Sequence, residues 1–107
     1  MAVSTEFREY VLDQLRTVTP VTAKAMFGGV GIYSGGTFFA LIAEDVVYFK
    51  ADAATRPAFE SRGSKPFNPY GKASMSYFEL PADVLEDEDQ LRTWTRDAIA
   101  VARRSKK

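Results

Sequence analysis

Two apolar runs, FFALIA at 38–43 and VVYFK at 46–50, are separated by only two residues, Glu44 and Asp45. A connection that short joins antiparallel strands, because a parallel pair needs a crossover of about a dozen residues or more. Gly35-Gly36 stands just before FFALIA and supplies two residues able to adopt positive φ, as a tight hairpin turn requires. Residues 22–34 carry a further strand, interrupted by glycines. The segment 22–50 is therefore expected to be a three-strand antiparallel meander.

Helical patterns flank it. Ser4 or Thr5 can cap a first helix whose apolar positions are Phe7, Val11, Leu15 and Val18, and Thr19-Pro20 ends it. DAATRPAFESRG, 52–63, predicts a short helix with Asp52 as cap, Phe59 inward, Pro57 near its start and Gly63 as terminator. GSKPFNPYGK, 63–72, is a loop, and SMSYFEL, 74–80, alternates as a further strand that Pro81 stops. PADVLE predicts a single helical turn. In the last helix Asp87 and Gln90 have capping-box spacing, and Leu91, Trp94, Ala98 and Val101 form a core stripe. The expected class is α+β: an antiparallel sheet, the meander plus at least one more strand, with flanking helices, in one domain spanning 1–107.

Composition excludes several kinds of chemistry. The chain has no cysteine and no histidine. Disulfides, thiolate nucleophiles, zinc–thiolate centres and iron–sulfur clusters fall away, as do the commonest general base and the commonest transition-metal ligand. Fourteen basic residues balance fourteen acidic ones, which disfavours a dedicated nucleic-acid binder. No apolar run has signal-peptide or membrane-spanning length, so a cytoplasmic protein that does not engage the membrane is expected.

The stretch MFGGVGIYSGG, 26–36, holds five glycines in eleven residues. It lacks the lysine and the hydroxyl residue of a phosphate-binding P-loop, and the dinucleotide fingerprint fails at Ser34. The residues after it are strand-like, so no helix N-terminus stands ready for a phosphate. Bulges and close backbone approach within a sheet explain these glycines better. Met26-Phe27-Gly28-Gly29, Gly31, Tyr33 and Phe39-Ala40-Leu41-Ile42 resemble the N-terminal domain of the TfoX/Sxy family. So do Val47-Tyr48-Phe49-Lys50-Ala51-Asp52, Phe59-Glu60, Pro66-Phe67, Met75–Pro81, Val84–Asp87 and Trp94. The resemblance covers nearly the whole chain. It implies an α+β domain similar to two-layer secretion-chaperone-like folds, with Met26, Phe27, Gly28, Gly29, Gly31 and Trp94 as structural motif residues. It also implies a link to transcriptional regulation of competence, the uptake of DNA, in which longer members carry a second, C-terminal domain. It implies no catalytic set.

Other candidates have ordinary explanations. The acidic run Glu86–Asp89 suits a helix N-terminus, since contiguous carboxylates do not converge on one ion. Glu79, on the face of Met75 and Tyr77, is expected to form a structural ion pair with Lys50 or another base. Ser64 with Lys65, or Lys72 with Ser74, is too weak a pattern for a nucleophile. The basic tail ARRSKK complements the end of a helix dipole. No catalytic, cofactor or metal residue is assigned, and the chain is not expected to be an enzyme.

The candidate interaction surface is the loop KPFNPYGK with its neighbours: Lys65, Phe67, Tyr70 and Lys72, joined by Tyr48 and Tyr77. Phe67 is expected to anchor this loop to the core, although its aromatics and lysines have the pattern of a nucleic-acid contact. FFALIA is apolar on both faces, read by alternation as Phe39 and Leu41 on one and Phe38 and Ile42 on the other. VVYFK sets Val47 and Phe49 against Val46 and Tyr48. Such strands need cover on both sides. A homodimer or a hetero-protein partner on the sheet is expected. The alternative is a small-ligand module with a pocket lined by Phe27, Tyr33, Tyr48, Tyr70 and Tyr77.

Overall fold

The chain, seen in a computed structural model that describes residues 4–26, 28–68 and 74–105, runs α1 (Thr5–Arg16), β1 (Thr22–Met26), β2 (Gly29–Ser34), β3 (Thr37–Ala43) and β4 (Val46–Lys50). It continues with α2 (Arg56–Glu60), β5 (Pro66–Phe67), β6 (Ser74–Glu79), α3 (Ala82–Leu85) and α4 (Glu88–Ser105). All strands join one antiparallel sheet of order β1-β2-β3-β4-β6-β5, with the helices packed on one face, so the class is α+β as expected.

The segment 22–34 is two strands rather than one. The chain reverses after Met26, where Gly28 takes φ 78°, and Met26 pairs with Gly29 across the hairpin. The meander therefore has four strands. Gly35 and Gly36 make the expected turn with φ 56° and 82°. Glu44 and Asp45 adopt the same left-handed geometry, φ 52° and 60°, without glycine. Positive φ at both central residues matches the right-handed twist of a hairpin. The Asp45 carboxylate also accepts the backbone N–H of Ser4 at 2.8 Å, tying this turn to the start of α1.

A register shift in β3 changes which rings face the core. Ile32 pairs with Ala40, but Tyr33 pairs with Phe38, so Phe39 is the extra residue of a bulge. Simple alternation would place Phe38 with Ile42 and Phe39 with Leu41. The bulge instead turns two consecutive residues inward: Phe39 and Ala40 are both fully buried with Ile42, and Phe39 packs edge-on to Phe49 at 5.7 Å. Phe38 and Leu41 remain half-buried on the other face. The irregularity foreseen among the glycines thus lies in the next strand.

The glycines serve close approach. A Cβ on Gly29 would lie 2.4 Å from the carbonyl oxygen of Ile42, a backbone atom that cannot yield. At Gly31 it would meet the end of the Met26 side chain at 2.6 Å, which can move. Gly31 thereby lets Met26 lie across the sheet toward Phe38.

The helices begin where the caps place them. Ser4 Oγ accepts the Phe7 N–H at 3.2 Å, and Asp87 Oδ1 accepts the N–H groups of Asp89 and Gln90. Gln90 returns its side-chain amide to the Asp87 carboxylate at 3.0 Å, not to the backbone as in a capping box. The 52–63 helix is shortened to α2. Asp52 closes a turn before it by accepting from Ala54 and Thr55, and its other oxygen receives Arg104 from the end of α4 at 2.8 Å. The core joins Val11, Leu12 and Leu15 of α1, Val84 and Leu85 of α3, and Leu91, Ala98 and Ile99 of α4 to the inner sheet face. Trp94, partly buried, stands edge-on to Phe59 at 4.9 Å and closes the α2 end of that core.

Phe39→Ala is expected to cost about 3–5 kcal/mol in denaturant unfolding, and Phe38→Ala clearly less, because only the first empties a packed interior. Equal losses would refute the bulge. Gly29→Ala is expected to cost about 1–3 kcal/mol from overpacking, with Gly31→Ala milder because Met26 gives way.

Candidate interaction surface

Antiparallel register sorts the sheet into two faces. Ala23, Ile32, Ala40, Phe49 and Phe78 form one inner row beneath the helices. The opposite face carries two cross-strand rows. One aligns Thr22 with Tyr33, Tyr33 with Phe38, and Lys50 with Tyr77. The other aligns Lys24 with Gly31, then Leu41, Tyr48 and Glu79. No described helix packs on these rows.

The rings on this outer face touch one another. Phe38 lies 5.2 Å from Tyr33 and 5.7 Å from Tyr77, and Lys50 Nζ sits 4.9 Å above the Tyr77 ring. Phe67 of β5 packs on Tyr48 at 4.9 Å. The expectation that Phe67 anchors its loop to the core is corrected: it anchors to the outer sheet face, because Tyr48 points away from the core. Among the described residues Glu79 makes no ion pair with Lys50. The ammonium stacks on Tyr77 instead, since register sets Lys50 opposite Tyr77 and Glu79 opposite Tyr48.

Of the six surface residues expected from sequence, the structure brings Tyr48, Phe67 and Tyr77 onto one face. It leaves Lys65 exposed at the sheet edge, where its carbonyl accepts from Glu79. Tyr70 and Lys72, and the motif residue Phe27, lie outside the described residues, as does the side chain of Met75. Tyr33 joins the face as part of the expected aromatic set. Leu41 lies on the face opposite Ile42, as alternation places it. Phe38 joins the outer face because the bulge breaks alternation, and Met26 because the Gly31 gap lets it lie flat.

Burial pushes the Tyr77 phenol up to about 12, helped by its neighbour Tyr33. Burial also raises Tyr48, followed by the negative charges of Glu79 and Glu44. Tyr48 and Tyr77 on this face therefore hold their protons past the ordinary tyrosine range. Among the described residues no group of three or more acidic side chains could hold a metal ion, and no helix is long and apolar enough to cross a membrane.

Compared with known families, residues 13–102 match the TfoX N-terminal domain. No curated protein matches significantly. The matched span runs from α1 through most of α4 and includes both faces of the sheet.

The tyrosine shifts carry a pH signature. Tyr77 stays protonated in the folded chain while an unfolded tyrosine ionises near 10.0. Its stabilising contribution is therefore complete below pH 10 and is lost as pH rises from 10.0 toward about 12. Tyr77→Phe is expected to remove one late step from an ultraviolet tyrosine titration and to flatten the loss of stability across that window.

Proposed function

This chain belongs to the TfoX N-terminal domain family, and we propose that it is a small, non-catalytic regulatory domain that acts by protein contact through the outer face of its sheet. The occupant of that face is a second copy of the chain. Its setting is the cytoplasm, and its process, by likeness to longer family members, is transcriptional control of DNA uptake.

The observation that carries this reading is the aromatic face itself. Tyr33, Phe38, Leu41, Tyr48, Phe67 and Tyr77 sit on the side of the sheet opposite the helices. Aromatic residues dominate the energetics of contact surfaces, and an apolar sheet face on which no described helix packs is a natural interaction site. Charge supports a self-partner: Lys24 and Lys50 share the face with Glu79, so a two-fold arrangement can set opposite charges against each other. The balance of fourteen basic and fourteen acidic residues gives no matching attraction for nucleic acid.

Sedimentation over a concentration series tests this. A monomer–dimer equilibrium is expected, and Leu41→Asp is expected to abolish it with the circular dichroism of the fold intact. A chain that stays monomeric at its highest soluble concentration, or a dimer indifferent to Leu41→Asp and Tyr48→Asp, would sink the proposal.

A further inference from the structure

On the helix side of the sheet, away from the aromatic face, a cleft of about 410 Å³ opens where the end of α1, the end of β2 and the middle of α4 meet. We propose that it binds a small organic anion, with a phosphate or carboxylate head and a compact apolar body. The volume falls within the range of small-molecule sites.

Its two charged walls are Arg96 and Arg103 of α4. Seven residues apart on a helix, they share one face about two turns apart. Ile99 and Ala100 lie between them, and Val18 faces them from the segment after α1. The remaining wall is polar. Thr19 Oγ1 and Ser34 Oγ lie 3.4 Å apart, a long contact that leaves both hydroxyls with capacity to bond elsewhere, and Ser34 is only 7% exposed. Two arginines and two hydroxyl residues thus border a space whose middle is apolar. That combination recognises an anionic head on an apolar body.

The pairing pattern along α4 points the same way. Arg92 pairs with Glu88 and Asp89, and Arg104 pairs with Asp52. The two arginines that line the cleft have no carboxylate partner among the described residues. Asp97, next to Arg96, does not line it. Arg103 lies in the last turn, where the helix dipole accounts for a cation, but Arg96 sits mid-helix, where it does not. The proposal is independent of the sheet-face contact, which lies on the other side of the sheet.

The test is a titration of the folded chain with phenyl phosphate, benzoate and inorganic phosphate at constant ionic strength, followed by amide chemical shifts. Saturable shifts confined to residues 18–19, 34 and 96–103 are expected with at least one aromatic probe. Inorganic phosphate should bind more weakly, since it lacks the apolar body. The better of phenyl phosphate and benzoate identifies the head group. Arg96→Gln and Arg103→Gln are each expected to weaken binding at least tenfold. Ala100→Phe, which fills the cleft without changing charge, should abolish it. Arg62→Gln, which removes the same charge from beside α2, where Arg62 pairs with Asp83 outside the cleft, should leave it unchanged. Shifts that never saturate, that scatter over the surface, or that weaken equally in Arg62→Gln would overturn the site.

Discussion

The sheet depends on one displaced residue. With Phe39 out of register, β3 sends Phe39 and Ala40 to the same side, and the interior gains a ring that packs on Phe49. Without the displacement, alternation would turn Phe38 inward and Phe39 outward. The inner layer would then lose the edge-on pair, and the outer face would lose the ring that connects Tyr33 to Tyr77. A single extra residue therefore sets both the core against which the helices pack and the aromatic face on the reverse side.

Much of the architecture was legible because its signals are local. The cap at Ser4, the Gly35-Gly36 turn and the stripe on α4 each act over a few residues, and each stands where the pattern placed it. The split of 22–34 into two strands was hidden because a glycine-broken strand and a glycine-turned hairpin look alike in sequence; the distinction lies in the φ of Gly28. The bulge was hidden for a different reason. It arises from how β3 meets β2, a pairing that no composition rule encodes. On the outer face, Tyr48, Phe67 and Tyr77 could be named from alternation and loop chemistry, but their neighbour Phe38 could not. The pair Arg96 and Arg103 gave no signal either, since an i,i+7 spacing of basic residues on a long helix is ordinary until α1 and β2 are seen beside it.

The two faces divide the labour of the aromatic residues. Phe39, Phe49, Phe59 and Phe78 go inside with Trp94 at the margin, while Phe38 and Phe67 pack among the tyrosines on the outer face. Tyr33, Tyr48 and Tyr77, whose hydroxyls need water or a partner, go outside. In the outward set, Tyr77 keeps its proton to unusually high pH because neighbouring rings shelter it. The glycine-rich segment that first suggests a phosphate loop proves to be packing hardware: Gly29 admits the Ile42 carbonyl, and Gly31 admits Met26.

The borders of the sheet complete the picture. β1 projects the exposed Lys24 from its middle, and β5, at the far border, is two residues long. A charged side chain on one rim and a stub on the other both discourage an incoming strand from extending the ladder. Whatever meets this domain is thereby steered to side chains rather than to open backbone. In the proposed contact, selectivity then rests on how rings and methyl groups interlock, and single substitutions alter it without disturbing a hydrogen-bonded frame.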